Sequence, residues 1–372
     1  MFPDLTSYWW YLPVILLGAC VGSFLNVVIY RMPLNLSVND PKRSFCPLCK
    51  NPIPWWRNIP LLSWLLLRGK CADCHAKIPI RYWFVELLTA LLFAACWRHF
   101  GHELALTLFI LMAIFVAITF IDAEHQIIPA PLTYIGTAVG LISSCFRPEL
   151  LHLISPNEEP SAWWQGLLDS AIGWTLGFFG LWSVVLLGKM MFGKKKISLD
   201  QPTDWQLIDA TTDDEPLHFS LGDEKIPWWE IFYRKSDEML LECDEIFLDE
   251  KACGSGQLKL RELDFTLPNG EIHQLTEIKS LSGKATKAII PREAMGMGDP
   301  HLLGMIGAFI GGGGVLFTVC FSSFYALAIA LLARIGLGKP LPFGPFLILA
   351  AATWIFGGWK LWEWYIQYLQ FP

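Results

Sequence analysis

The chain has 372 residues, of which 53% are hydrophobic and 17% are charged, and it contains 18 Trp and 25 Phe. This composition excludes an ordinary soluble globular domain, and the apolar blocks are each long enough for a spanning helix of roughly 20 residues. The formal net charge is −6, with no basic stripe, so nucleic acid is not an expected partner. We predict an all-α polytopic membrane protein in contact with the lipid bilayer.

The apolar blocks predict seven or eight transmembrane helices. They lie near 8–30, 83–99, 104–121, 130–146, 165–191, 313–335 and 343–366, with a shorter apolar piece at 301–311. The glycines at 311–314 either break one long helix or join two membrane segments. The first block has no basic region before it, so it is predicted to be a retained helix rather than a cleaved signal peptide.

Positive charge sets the predicted orientation. The loop 31–82 holds nine cations, which are Arg31, Lys42, Arg43, Lys50, Arg57, Arg68, Lys70, Lys77 and Arg81. Cytoplasmic loops are rich in Lys and Arg, so this loop is predicted to be cytoplasmic and the N-terminus to lie outside. Counting the crossings from there brings Asp122 and Asp299 to the cytoplasmic side.

The same loop contains two pairs of cysteines with metal-site spacing. Cys46 and Cys49 form one CxxC unit, and Cys71 and Cys74 form the second after an interval of 21 residues. Two such units suit a tetrahedral Zn²⁺ ion held by four thiolates. A closed site of this kind leaves no open position for water, so we predict structural zinc. Free thiols are the alternative, and His75 is predicted to lie outside the ligand set.

Two aspartates lie where predicted helices meet the membrane interface. Asp122 ends one apolar block, and Asp299 directly precedes another. A carboxylate at such a position is costly unless it is used, because desolvation disfavours its charged form. A pair at similar depth suggests two acids that share one proton, as in an aspartic protease. The alternative is two solvated helix-end carboxylates.

The segment 193–290 differs from the rest of the chain. It contains 20 Asp and Glu against 12 Lys and Arg, whereas the remainder has 14 acidic and 16 basic residues. Alternating apolar residues flank the turn 268–270, which contains Asn-Gly and predicts a β-hairpin. We predict a small β-rich cytoplasmic insert. This insert is either a regulatory or partner-docking module or an insertion of unknown role.

Five motifs, taken in order, resemble the bacterial type IV prepilin peptidases, the leader peptidase/N-methyltransferase family of GxGD membrane aspartic proteases. They are the helix motif 22–31, the four-cysteine loop with the stretch leading to Glu86, Asp122 with its following Ile-Pro, Gly296-Met297-Gly298-Asp299, and 342–346. The resemblance covers the chain except the insert. It divides the chain into a first transmembrane helix (1–30), the zinc loop (31–82), helices with the first aspartate (83–192), the insert (193–290) and the GxGD segment with the last helices (291–372).

The resemblance implies an enzyme of the bacterial inner membrane. It would cleave the leader of prepilins and pseudopilins on the cytoplasmic side, with Asp122 and Asp299 as the catalytic pair. Methylation of the new N-terminus would follow, with S-adenosylmethionine as the methyl donor, but no cofactor-binding residues can be named. The resemblance leaves the oligomeric state and the particular substrate unknown.

Supporting roles are expected around the aspartate pair. Gly296 and Gly298 would let the backbone approach the substrate closely. His301 follows where family members commonly carry Lys, and it could alter the pH dependence of the pair. Glu86 either binds substrate or cofactor, pairs with Arg81, or stabilises a helix start.

Three other functional classes remain open from the sequence. A presenilin-like intramembrane GxGD protease is the nearest rival, although such enzymes lack the cysteine loop. A transporter or proton channel would need acids deep within the spanning segments. A zinc-bearing membrane scaffold without catalytic activity would tolerate the loss of both aspartates.

Overall fold

The protein is seen here as a computed structural model, and the structure describes residues 8–41, 43–146, 162–192, 194–208, 217–222, 224–232, 237–249, 251–291, 296–334 and 341–370. The chain divides into two compact units. We call the first, Met1–Trp182 with Met297–Pro372, the membrane unit. We call the second, Ser183–Gly296, the insert unit.

Helices dominate the described part of the chain outside the insert. They are α1 (Tyr11–Arg31), α2 (Leu62–Leu66), α3 (Arg81–His125), α4 (Ala130–Phe146), α5 (Trp163–Phe192), α6 (Trp228–Ile231, in the insert), α7 (Gly298–Leu332), α8 (Gly344–Thr353) and α9 (Trp359–Gln370). Short 3-10 turns occur at Tyr8–Trp10, Trp55–Arg57 and Leu275–Glu277, and a π-helical turn, Trp354–Gly358, joins α8 to α9.

Five helices in the described residues are long and apolar enough to cross a membrane. They are Tyr8–Arg31, Arg81–His125, Trp163–Met191, Gly298–Leu332 and Gly344–Tyr365, and Ala130–Phe146 is a shorter apolar helix. Their outer faces carry exposed large apolar side chains such as Leu16 and Phe24. Such faces suit contact with lipid rather than water. Residue 335, at the end of one predicted span, lies outside the described residues.

Helix α3 is a hairpin of two antiparallel halves. Gly101 has φ 67° and ψ −177°, which is not helical and is a conformation that glycine adopts easily. Because the chain reverses there, the rings of Phe93 and Phe109 stack with their centroids 4.2 Å apart. The blocks predicted at 83–99 and 104–121 are thus the two arms of one element.

Helix α7 reverses in the same way. Gly311 has the same φ and ψ as Gly101, 67° and −177°. A Cβ placed on Gly307 would lie 2.8 Å from a side-chain carbon of Val315, which is possible only if the chain folds back. The sequence left open whether the glycine run breaks a helix or joins two segments, and the structure shows a reversal at its first residue.

Glycines bring the first arm of α7 close to α5. A Cβ on Gly173 would lie 2.2 Å from the carbonyl oxygen of Gly307, so neither position has room for a side chain. Ser170 adds a buried hydrogen bond from its hydroxyl to the carbonyl of Ala308, at 2.7 Å. Small residues of this kind let helices in membranes pack closely. This packing holds the arm that carries Asp299.

The insert unit contains one antiparallel sheet, with nine strands among its described residues. The strands are β1 (Lys194–Ile208), β2 (His218–Leu221), β3 (Glu224–Pro227), β4 (Met239–Leu248), β5 (Lys251–Ala252), β6 (Gly256–Leu260), β7 (Asp264–Thr266), β8 (Ile272–Gln274) and β9 (Leu281–Pro291). Their order is β3-β2-β1-β9-β4-β6-β7-β8, with β5 paired to β4. The prediction of a β-rich insert is therefore confirmed.

The predicted hairpin is present but its first strand is shorter. Thr266 pairs with Ile272 across the turn, in which Gly270 has φ 90°. The alternating run before that turn is divided into β6 and β7, which pair with each other through Leu260 and Phe265. One face of the sheet is an apolar core that includes Trp205, Phe219 and Phe265, and charged side chains lie on the other face.

Candidate functional site

Asp122 and Asp299 lie at the ends of two helices of the membrane unit. Asp122 is in the last turn of α3, and Asp299 is in the first turn of α7. Their relative exposures are only 5% and 9%. The two side chains are close enough for the charge of Asp122 to act on Asp299. The fold therefore brings together two buried acids that are far apart in sequence.

A backbone group holds one oxygen of Asp122. The N–H of Gly344, at the start of α8, donates to Oδ2 of Asp122 at 3.0 Å. The side chain of Ile128 lies against both Gly344 and Gly298, since a Cβ on either glycine would come within 3.2 Å of it. The motif residue Gly298 is thus next to the pair, and the lack of a side chain there is required by Ile128.

The four cysteines form two equivalent turns in the loop. Cys46 accepts a hydrogen bond at its carbonyl from the N–H of Lys50, and Cys71 accepts one from the N–H of His75. Lys50 and His75 occupy the same place in their turns, with φ 60° and 58°. His75 is therefore the turn residue of the second knuckle, and it is not part of the sulfur cluster.

The sulfur atoms have the spacing of a tetrahedral zinc site. The Sγ atoms of Cys46, Cys49, Cys71 and Cys74 all lie within 4.8 Å of one another. The Sγ atoms of Cys46 and Cys74 are 3.8 Å apart. A tetrahedron with Zn–S bonds of about 2.3 Å has edges of about 3.8 Å, so the donor set fits Zn²⁺.

The crowded thiols differ in how readily they ionise. The backbone N–H of Cys49 donates to the Cys46 sulfur and is the main cause that lowers the pKa of Cys46 to about 7. At Cys49, the N–H of Asn51 acts to lower the pKa, but burial and the neighbouring sulfurs outweigh it and raise the pKa to about 11. The Cys46 thiolate therefore forms easily, and a bound cation would favour the thiolate form of Cys49.

Glu86 ties the loop to the helices. Its carboxylate accepts a hydrogen bond from the backbone N–H of Leu61 at 2.6 Å, and it is 9% exposed. Arg81, one of its expected partners, instead forms an ion pair with Glu124, at the other end of the α3 hairpin. Glu86 is five residues inside α3, so the helix-start role does not describe it well.

A cavity of about 340 Å³ lies between α1, the cysteine loop and the start of α3. Its walls include Asn26, Tyr30, Trp64, Trp83 and Glu86. The Oδ1 atom of Asn26 is buried without a hydrogen-bond partner in the described part of the chain, whereas its Nδ2 donates to the Tyr82 carbonyl. A buried acceptor without a partner is costly, so the cavity suits a ligand that donates a hydrogen bond there.

Sequence reasoning missed the role of Arg31. The sequence pattern places Arg31 among the cations of the loop, but its side chain is only 3% exposed. Its guanidinium donates to the backbone carbonyls of Ser37, Val38 and Pro41 at 3.0 to 3.1 Å. It therefore fixes the start of the cysteine loop. The sequence gives no signal for this, because carbonyl acceptors do not depend on residue type.

The remaining predicted residues lie in and before the first turn of α7. Gly296 precedes the helix and is exposed. The ring of His301 contacts the rings of Tyr134 and Phe178, with centroids 5.3 and 4.9 Å apart. His301 thus packs between α4 and α5.

Comparison with known proteins identifies relatives for up to about half of the chain. Residues 16–100, which include α1, the cysteine loop and Glu86, match the bacterial peptidase A24 N-terminal domain. A prepilin leader peptidase/N-methyltransferase of Myxococcus xanthus is 51% identical over 127 residues, which are 34% of this chain and 37% of that protein. The corresponding protein of Neisseria gonorrhoeae is 37% identical over 205 residues, 48% of this chain and 65% of that protein.

The matched regions cover less than two thirds of the length of these two relatives. A third relative of the same name, from Dichelobacter nodosus, is 34% identical over 207 residues, which are 48% of this chain and 67% of that protein. No solved structure matches the chain. The identity and coverage of these matches show that the chain belongs to the prepilin leader peptidase/N-methyltransferase family.

Proposed function

We propose that the protein is a membrane aspartic endopeptidase that removes the leader from type IV prepilins or pseudopilins and then methylates the new N-terminus. The observation that carries this proposal is the pair Asp122 and Asp299, both buried at two helix ends and close enough for the charge of Asp122 to act on Asp299. Two close acids cannot both ionise cheaply, so together they supply one acid and one base. Relatives of this chain are named for both activities.

Hydrolysis by such a pair needs no covalent intermediate. The ionised carboxylate takes a proton from water while the water oxygen bonds to the scissile carbonyl carbon, and the protonated carboxyl gives its proton to the carbonyl oxygen. The C–N bond then breaks, the leaving nitrogen takes the proton removed from water, and the carbonyl re-forms with return of the other proton. The products are a carboxylic acid and a free amine, and both aspartates regain their starting states.

The neighbouring residues have supporting roles in this proposal. Gly296 and Gly298 keep the approach to the pair open for the peptide backbone. His301 supports the first turn of α7 in this proposal, since its ring packs against Tyr134 and Phe178. Glu86 supports the cavity beside the cysteine loop through its bond to Leu61.

We infer a multi-pass topology in the bacterial inner membrane with the N-terminus outside. The two hairpins raise the number of helical arms, and with α1, α4, α5 and the α8–α9 segment they give eight crossings. The Arg81–Glu124 ion pair joins the two ends of the first hairpin, so Asp122 belongs to the side of the basic loop. The insert is cytoplasmic in this arrangement.

Two bound groups complete the proposal. Zn²⁺ would be held by Cys46, Cys49, Cys71 and Cys74 and would be structural, because all four positions are filled by sulfur. S-adenosylmethionine, when bound, supplies a transferable methyl group for the new amine. The cavity lined by Asn26 and Glu86 has a size that suits such a small organic molecule. The Oδ1 atom of Asn26, which has no partner among the described residues, could accept a hydrogen bond from it.

The test is an incubation of membranes containing the full chain with a prepilin-like peptide, in the presence and absence of S-adenosylmethionine. The peptide carries a basic leader that ends in Gly, followed by Phe and an apolar stretch. Mass spectrometry should show loss of the leader in both reactions, and the addition of one methyl group only with the cofactor. An uncut peptide would overturn the proposal, and cuts within the apolar stretch would favour a presenilin-like protease.

A further inference from the structure

The two aspartates have unequal surroundings, although their chemistry is the same. Asp122 receives the N–H of Gly344, whereas no hydrogen-bond donor reaches the Asp299 carboxyl among the described residues. Each acid lies by the start of a helix, Asp122 by that of α8 and Asp299 in the first turn of its own helix α7. A helix start favours negative charge at both acids, whereas the end of α3 opposes it at Asp122. The hydrogen bond from Gly344 is therefore the contact that favours an ionised Asp122.

The Gly344 N–H is available because of its place in α8. The first N–H groups of a helix have no acceptor within that helix. The N-cap residue Phe343 has no side-chain acceptor to offer and makes no side-chain cap bond. Asp122, which is 222 positions away in sequence, supplies the acceptor instead, in a buried bond. The bond therefore serves both α8 and Asp122.

The absence of a side chain at Gly344 is also required by the geometry. A Cβ there would lie 2.7 Å from Oδ2 of Asp122 and 3.2 Å from Cδ1 of Ile128. The first distance is shorter than real Cβ contacts, so any other residue would displace the carboxylate. A substitution at this position would therefore disturb Asp122 while leaving the acid itself in place.

We propose that Gly344 is a positioning residue that holds Asp122 as the ionised, water-activating member of the pair and leaves the shared proton on Asp299. An N–H group can only donate, and it stabilises an ionised oxygen more than a protonated one. Oδ2 of Asp122 already accepts this bond, whereas Oδ1 accepts no hydrogen bond among the described residues, so Oδ1 is the more available oxygen for a proton from water. This assignment rests on the proposed peptidase activity, which requires one acid and one base.

The experiment locates the proton without relying on cleavage. The full-length protein in membranes is treated with dicyclohexylcarbodiimide, which adds to protonated carboxyl groups, and adducts are assigned by peptide mass spectrometry. We expect about tenfold more adduct on Asp299 than on Asp122, the ratio that one charge-assisted hydrogen bond supports. Equal labelling, or a preference for Asp122, in the unmodified protein would overturn the assignment.

Gly344→Ala tests the positioning role. Labelling of Asp122 should rise until the two aspartates are labelled about equally. The control Gly313→Ala adds the same methyl group where the nearest atom, in the Trp354 ring, is 4.0 Å away, and it should keep the original ratio. An unchanged ratio in Gly344→Ala would contradict the proposal, and the unmodified protein still provides a test if this variant does not fold.

Kinetics separate this inference from the proposed function. In Gly344→Ala we expect kcat to fall by about tenfold to a hundredfold while KM changes by less than about twofold, because the bond acts on the reacting group. A raised KM with unchanged kcat would assign Gly344 to peptide binding instead. If the unmodified protein cuts no prepilin-like peptide, the proposed function fails, whereas the labelling ratio still decides where the proton lies.

Discussion

The membrane unit and the insert unit bury different kinds of side chain. Among its described residues, the membrane unit buries five groups that carry charge or strong polarity, namely Asn26, Arg31, Glu86, Asp122 and Asp299. The core of the insert is apolar, and its buried charged residue among the described ones, Asp237, is paired with Lys189 at 3.1 Å. Buried polar groups are costly, so their concentration in one unit supports the membrane unit as the place of the proposed chemistry.

The largest expected effect comes from either aspartate. Asp122→Asn or Asp299→Asn should lower kcat/KM for leader cleavage by about 10²- to 10⁴-fold, because the amide neither takes nor gives the proton. Zinc content and membrane insertion should not change. A kcat/KM for leader cleavage within tenfold of the unmodified protein would show that the buried acids are structural. The contrast in buried polar groups between the two units would then not mark a catalytic site.

The second effect concerns the four-cysteine site. Cys71→Ser should reduce bound zinc from one ion per chain to none by elemental analysis, and it should make the loop sensitive to proteolysis. The exposed Cys20, outside the cluster, provides the control Cys20→Ser, which should keep its zinc.

The zinc site should also respond to pH. The pKa of Cys46 is about 7, so protons compete with the metal as pH falls below that value, and Cys49 and Cys74 hold their protons more strongly. Zinc affinity should therefore weaken steadily on acidification and be fully present at higher pH. Retention of zinc independent of pH would argue against thiolate ligands.

The third effect tests whether the insert has a core of its own. Phe265 is fully buried in that core, so Phe265→Ala should destabilise the insert by about 3–5 kcal/mol. Leu263 is 58% exposed, and Leu263→Ala should change the stability by less than about 0.5 kcal/mol. Chemical unfolding of the full chain, followed through limited proteolysis, measures both. Leader cleavage should persist in both variants, and its loss in Phe265→Ala would show that the insert takes part in the reaction.

The smallest effect is electrostatic. The carboxylate of Asp249 accepts the N–H groups of Ser280 and Lys279 at 2.8 and 2.7 Å, which hold the pKa of Asp249 below its usual range. Its contribution to the stability of the insert is present above the unfolded-state pKa and is lost as pH falls through the folded-state value. In Asp249→Asn the free energy of unfolding of the insert, measured by chemical unfolding at several pH values, should fall less as the pH is lowered. In Asp244→Asn, at an exposed position of β4, it should fall as in the unmodified protein.

Local patterns in the sequence predicted part of this molecule well. The spacing of Cys46, Cys49, Cys71 and Cys74 was sufficient to anticipate the sulfur cluster, since each CxxC unit folds its own turn. The Asn-Gly turn before Ile272 likewise specifies its own hairpin. In both cases the residues that decide the structure are neighbours in the chain.

The contacts that complete the site could not be predicted in this way. The hydrogen bond from Gly344 to Asp122 depends on how α8 packs on α3, and nothing local to either residue indicates it. The reversals at Gly101 and Gly311 depend on positive φ angles that a hydropathy pattern does not contain. The resemblance to a family pointed to the stretch 342–346, and only the fold connects it with the aspartate.

The short first arm of α7 has a consequence for the lipid around the site. From Gly298 to the reversal at Gly311 it contains too few residues to cross a hydrocarbon layer of about 30 Å at about 1.5 Å per residue. A bilayer accommodates such a segment by thinning locally. Headgroups and water would then come to the level of Asp299, and the proposed hydrolysis would take place at a depth that the surrounding membrane keeps dry.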